Sequence, residues 1–277
     1  MDVGSGGGTG QANVRDGGGA VVMDVIEHFA GLLVLAFLRY LPPVVLPGLT
    51  PLRWSPPLVR IVLALGLAWL TVLATPLDVD PLVHQHAMAW VVAAAVELSI
   101  GFAFGLVILV PQAALHMSGW LIDVQAGLGA ASLFNPGSQG EMQSMLGTAL
   151  LLLATVLFFT LDLHLDLYRA LVASTHVLPL GGAGVRLDLA AFLGLIGSSF
   201  LLALMLVAPV LLGLFAVDVG VAYATRSMPQ ANIYFLMLPL KISMALLLLA
   251  ATLPFVPFLL ERLYRDAFAR APALLGA

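Results

Sequence analysis

Apolar residues run along this chain in long blocks separated by short polar stretches. Six blocks, near 25–47, 58–77, 87–110, 145–161, 189–217 and 231–260, approach or exceed the ~20 residues an α-helix needs to cross a bilayer. They predict an all-α, polytopic membrane protein of about six helical segments. Two blocks are too long for simple spans. As a helix, 189–217 would reach about 44 Å against a hydrocarbon core of about 30 Å. Pro209 lies inside it, and Pro239, Pro254 and Pro257 lie inside the last block. Each proline removes a backbone donor and favours a kink or break. These two blocks are therefore expected to be broken or hairpin-like.

The polar intervals are uneven. The longest, 111–144, reads PQAALHMSGWLIDVQAGLGAASLFNPGSQGEMQS. Its glycines, alanines and Pro136 predict an irregular, closely packed loop, strongest over 127–140. Such backbone is tolerated at membrane depth only where protein buries it or where it lines a cavity. Residues 1–22 are Gly-rich and carry neither a basic n-region nor an apolar h-region, so no secretory signal is visible there. They are expected to be a disordered extension, with a single membrane domain over 23–277. Met23 directly precedes the first apolar pattern and is a candidate start.

Composition sharpens this picture. The chain is 61% hydrophobic and 9% charged, with a mean hydropathy of +1.06. Soluble domains carry about 25% charged residues. A net charge of −4 argues against nucleic acid, which calls for a basic stripe. With no cysteine, disulfides, iron–sulfur ligation and thiol catalysis are excluded. Positive charge does not orient the chain. With six spans, Arg39, Arg53, Arg60, Arg226 and Lys241 fall on one side, and Arg15, Arg169, Arg186, Arg262, Arg265 and Arg270 on the other. An ordinary six-span bundle would show a clearer bias. No internal repeat is visible, which weakens a secondary transporter built from paired halves.

Enzyme signatures are missing. There is no HExxH, GxGxxG or P-loop pattern. Ser118 and the scattered histidines lack a GxSxG elbow, so Ser118 is read as a small residue at a helix contact. His84 and His86 beside Asp78 and Asp80 are read as a solvated loop rather than a metal site. Asp162, His164 and Asp166 alternate, do not share a helix face, and read as a polar helix end. No metal or cofactor is expected.

The polar residues set in apolar sequence are the stronger signals. Glu97 sits mid-block and must face protein or water. A buried polar contact, with Lys241 or Arg226 as partner, is preferred to a proton relay, because the other blocks lack an acidic chain. Gly101 and Gly105 form a GxxxG pattern beyond it, which permits close helix approach. The stretch RSMPQANIYFLMLPLK places Arg226, Pro229, Gln230, Asn232 and Lys241 in or against apolar sequence. Pro229 suits a first helical turn. Gln230 and Asn232 can cap backbone or bond to a neighbouring subunit. Together with Glu97 these five are candidate assembly contacts.

Four motifs occur in order: GWLIDVQAGLGAASLFNPGS, FFTLDLHLDLYRALVASTHVLPLG, RSMPQANIYFLMLPLK and PFVPFLLERLYRDAF. The ordered set, over roughly 24–268, resembles the flagellar biosynthetic protein FliR family, with relatives in virulence injectisomes. The resemblance implies a non-catalytic subunit of the type III export gate in the bacterial inner membrane, at the flagellar basal body. It implies FliP- and FliQ-type partners in a helical, pore-forming complex, contact with an FlhB-type subunit, and passage of unfolded flagellar proteins. It implies a fold like a fusion of the partners' helical hairpins, much of it lifted from the bilayer plane. It also implies a loop that helps plug the closed pore, falling on 119–137. Gly119, Asp123, Gln125, Gly127, Gly129, Leu133, Phe134 and Pro136 are its candidate residues, with Leu133 and Phe134 sealing and Gly127 and Gly129 bending. THVLPLG and PGSQGEM favour the flagellar type, while IDVQAG is also compatible with the injectisome type.

Overall fold

The computed structural model describes residues 12–46, 52, 55–75, 87–128, 144–182, 188–227 and 233–274. Helices account for nearly all of them. They are α1 (Ala12–Val45), α2 (Pro57–Ala74), α3 (Ala87–Ala126), α4 (Met145–Thr160), α5 (Leu163–Val177), α6 (Leu189–Ser227), α7 (Ile233–Thr252) and α8 (Val256–Leu274). Five spans are long and apolar enough to cross a membrane, or six if the bent pair α4–α5 counts as one. The protein is an all-α polytopic membrane protein, as the six blocks predict.

The boundaries differ from the expected ones in instructive ways. α1 begins at Ala12, inside the stretch expected to be disordered, and no break marks Met23. α3 does not stop at 110. It runs through Pro111 to Ala126, 40 residues and so about 60 Å. Its polar residues Gln112, Ser118 and Asp123 all lie on a buried face. Gly119, Asp123 and Gln125 are therefore helical and not part of a loop. α6 passes Pro209 without a break, as membrane helices can when neighbouring groups satisfy the freed carbonyl. Pro239 is likewise inside α7. Only around Pro254 does the last block change, tightening to a 3₁₀ turn at Leu253–Phe255 between α7 and α8.

One break was not expected. α4 and α5 meet at 68°. The hinge residue Asp162 has φ 57°, in the left-handed region, which Asp tolerates better than most side chains. The Asp162 N–H bonds Phe159 O at 3.3 Å, closing α4, while its carbonyl accepts from Leu165 N at 2.9 Å, opening α5. The DLHLD stretch is thus both a helix end and a helix start. The residues His84 and His86 lie outside the described residues. Among the described residues no group of three metal-type side chains converges.

α3 is the axis of the fold. It contributes to all three apolar clusters. The first packs it on α1, α2, α5 and the far ends of α6 and α8. The second packs it on α4, α5, α6 and α8, with Phe158 edge-on to Tyr264. The third packs it on α4, α6 and α7. The GxxxG pair works at the α1 crossing. A Cβ on Gly101 would run into Arg39 O and the Pro42 ring, and one on Gly105 into the Leu46 side chain. α2 is peripheral. Its inner edge is tied by Thr71, which donates to Tyr40 Oη at 2.9 Å and lies 3.1 Å from Tyr168 Oη. Leu58, Val62, Leu70 and Leu73 on its other side are exposed. With α7, which is also mostly exposed, this leaves two apolar faces for lipid or other chains.

Candidate functional site

Charged side chains in apolar surroundings must find partners, because an unpaired one costs about 3 kcal/mol at a helix centre in the membrane. Three polar clasps around α3 meet that demand. The first centres on Glu97, which is wholly buried. Its partner is Arg39 on α1, not Lys241 or Arg226. The guanidinium donates twice, from Nε to Oε2 at 2.5 Å and from Nη2 to Oε1 at 3.0 Å. It also reaches Ser174 Oγ at 3.2 Å and Leu178 O at 2.9 Å. Glu97 Oε1 accepts a further bond from Gly181 N at 2.9 Å. Gly181 sits at φ 78°, which favours glycine there. The clasp joins α1, α3 and the exit of α5. Because Glu97 is enclosed within the chain, it cannot serve as a contact to another subunit.

The second clasp grips both ends of the glycine-rich loop. α3 ends in a Schellman turn. Leu128 N bonds Asp123 O at 2.9 Å and Gly127 N bonds Val124 O at 3.2 Å, with Gly127 at φ 82° in the C′ position. The chain returns at Ser144, which caps α4 by accepting from Gly147 N at 2.8 Å. The Ser144 hydroxyl donates to Asp123 Oδ2 at 2.6 Å, and Leu146 N donates to the same carboxylate at 3.1 Å. Asp123 thus anchors the N-terminus of α4, where the helix dipole also favours a carboxylate. Such closeness is possible because Gly119 and Gly147 put α3 and α4 backbones in contact. A Cβ on either would overlap the other helix.

The third clasp lies beside it. Lys241 on α7 forms an ion pair with Asp218 on α6 and donates to Gln125 O at 3.2 Å. Gln125 Nε2 donates to Asp218 Oδ2 at 2.9 Å. The last turn of α3 is therefore held by both α6 and α7. Lys241 is only 14% exposed, so this pair is sheltered, though less than the first.

Of the candidate loop residues, the structure joins Gly119, Asp123, Gln125 and Gly127 in these contacts. Gly129, Leu133, Phe134 and Pro136 lie outside the described residues. Of the candidate assembly contacts, Arg226 is exposed in the last turn of α6, where a cation complements the helix dipole. Pro229, Gln230 and Asn232 lie outside the described residues. Sequence reasoning passed over Arg39, Ser144 and Asp218. A signal was available: Glu97 is a lone acid within one apolar block and Asp218 directly follows another, while Arg39 and Lys241 are lone bases in two others. Matching lone charges of opposite sign gives both ion pairs or their exchange.

Nothing in these clasps is arranged as a nucleophile with a base. All of their polar atoms are spent on holding helices and loop ends. Residues 30–267 match the family described as Bacterial export proteins, family 1. The chain is 30% identical over 219 residues to the flagellar biosynthetic protein FliR of Escherichia coli, covering 78% of this chain and 82% of that protein. It is 28% identical over 214 residues to the FliR of Aquifex aeolicus, covering 77% and 81%. It is also 30% identical over 175 residues to the Yop proteins translocation protein T of Yersinia pestis, covering 61% and 66%. With most of its length matched, helices included, this chain is a member of the bacterial export proteins, family 1.

Proposed function

We infer that this protein is a core subunit of the flagellar type III protein export gate, working without catalysis as one part of a channel for unfolded flagellar proteins. The family match over 30–267 carries the inference. The flagellar type is preferred to the injectisome type on coverage. At equal identity, the Escherichia coli FliR alignment takes in 78% of this chain and the Yersinia protein 61%. The proposed partners are FliP- and FliQ-type subunits and an FlhB-type subunit, and the proposed site is the bacterial inner membrane at the flagellar basal body. The large exposed apolar faces of α2 and α7 are suited to burial against such subunits or lipid. Pro229, Gln230, Asn232 and Lys241 are proposed to steady that assembly. Purification of the tagged native protein in mild detergent, followed by mass spectrometry, tests the assignment. Flagellar FliP- and FliQ-type companions are expected. Injectisome-type companions would reassign the machine, and a lone protein that binds a small solute would overturn the export reading.

The loop between Gly127 and Ser144 is proposed to plug the closed channel. Its leaving end is fixed by the Schellman turn and its returning end by the Asp123 carboxylate, so a plug carried between them would be tied to two helices. Leu133 and Phe134 are proposed to seal, and Gly127 and Gly129 to bend the backbone. Deleting 127–134 is expected to raise ion leakage in cells that overproduce the assembled gate. An intact complex with unchanged leakage would remove the plug role from this loop.

A further inference from the structure

Two polar side chains at the contact between α3 and α8 are buried without being answered. Gln112 on α3 is fully enclosed, and neither its Nε2 nor its Oε1 has a hydrogen-bond partner. Its amide lies against the hydroxyl of Tyr264 on α8, in a geometry that falls short of a hydrogen bond. Tyr264 is fully enclosed too, and its hydroxyl is likewise unpartnered. Tyr40 is a contrast: it is equally buried, yet its Oη accepts from Thr71 at 2.9 Å. The packing around Tyr264 comes from Ile108, Leu115, Phe158, Leu260 and Leu263, whose side chains carry no polar atom. Native proteins answer nearly all of their buried polar groups with protein or ordered water.

We propose that a water molecule is built into this contact, bound between the Gln112 amide and the Tyr264 hydroxyl. The balance of donors and acceptors requires a third group. A small rotation would join the two side chains directly, but a direct bond engages only one end of the amide. If the hydroxyl donates to Oε1, the Nε2 hydrogens stay unanswered; if Nε2 donates to Oη, Oε1 does. The missing group must therefore be small and neutral, and able both to donate and to accept. A cation calls for several oxygen ligands and an anion for a positive charge, and the surrounding cluster holds neither. Another subunit cannot reach in, because this chain itself closes off both side chains. Pro111 adds a further demand. It has no N–H to give Val107 O one turn back, and Val107 is fully buried. Ordered water is one of the groups that satisfy such freed carbonyls in membrane helices. Amide and hydroxyl already give the water the polar partners it needs to stay, and Val107 O is a third on the same stretch of α3. Because the site lies wholly inside one chain, it depends neither on the position of the bilayer nor on which export machine the chain serves. Its consequence is mechanical. α1, α4 and α7 are held to α3 by charged groups, whereas this point of the α8 contact rests on a neutral, exchangeable ligand.

The test is radiolytic hydroxyl labelling of the full chain, purified in mild detergent with whatever subunits accompany it. Radicals generated at a bound water oxidise the side chain beside it, even where bulk solvent has no access. Tyr40 is the internal standard, since it is as buried as Tyr264 and its hydroxyl is already engaged. On brief exposure Tyr264 is expected to be labelled severalfold more than Tyr40. Gln112→Met keeps the length of the side chain and removes both polar ends. It is expected to bring Tyr264 down to the level of Tyr40. A cryo-electron microscopy map of the unmodified protein, at a resolution that shows ordered water, needs no variant. It is expected to show density within hydrogen-bond reach of both the Gln112 amide and Tyr264 Oη. Equal labelling of the two tyrosines in the unmodified protein would overturn the proposal. So would Tyr264 labelling that Gln112→Met leaves unchanged, or a map in which amide and hydroxyl touch with no water beside them.

Discussion

Arg39→Ala is expected to destabilise the protein by about 3–5 kcal/mol, the usual cost of leaving one member of a buried ion pair without the other. The guanidinium makes four bonds, and its loss strands the Glu97 carboxylate with Gly181 N–H alone. The penalty for an unpaired charge in a membrane helix, about 3 kcal/mol, is of the same size. Ser174 and Leu178 lose their link to α1 at the same time, so α5 should detach at its C-terminal end. Thermal unfolding in mild detergent, followed by size-exclusion chromatography, measures the effect. Glu97→Ala is expected to act as strongly. Arg39→Met combined with Glu97→Met is expected to recover a large part of the loss, because the demand for a partner vanishes with both charges. Arg169→Ala removes an exposed pair whose members are 74% and 36% exposed, and is expected to change stability by less than about 1 kcal/mol. If Arg39→Ala were no more harmful than Arg169→Ala, the clasp would not be a structural element.

That clasp also marks the limit of what the sequence makes legible. Long apolar blocks reveal membrane helices because a bilayer demands length and apolarity together, and five spans and a bent pair follow from them. Helix ends are harder. Pro111, Gln112 and His116 look like the start of a loop, yet they continue α3, because Pro111 and Gln112 face a packed neighbour and not water. Pro209 looks like a break and is not one. Asp162 carries a bend that no proline or glycine announces. Gly127 is legible as a bend but not as a helix end, because the left-handed C′ position it takes exists only once α3 is seen to continue to Ala126. Asp123 was visible as a polar residue of the site, but its role was not, because capping α4 depends on Ser144 and Leu146 returning beside it. Glu97 was likewise recognised as buried and paired. Its partner depends on which helices lie side by side, and local pattern does not contain that.

Gly119→Leu is the second substitution expected to have a large effect, and it links packing to the loop. The α3–α4 contact at this level is backbone on backbone, so a side chain on Gly119 has no flexible neighbour to displace. Overpacking commonly costs about 1–3 kcal/mol, and the upper end is expected where backbone must move. The consequence should extend past stability. Asp123 is one turn further along α3, and its bonds to Ser144 and Leu146 require the same close approach. Pushing α4 away therefore releases the loop at its returning end while the Schellman turn still holds the leaving end. The variant is expected to leak ions when the assembled gate is overproduced, as the 127–134 deletion does, though with the loop intact. Gly220→Leu on α6 is the matched control, because nothing lies within 4 Å of a Cβ there. If Gly119→Leu assembled normally and leaked no more than Gly220→Leu, the loop would be held by something other than the Asp123 clasp. If it leaked while assembling normally, the clasp and not the overall fold would be what keeps the channel shut.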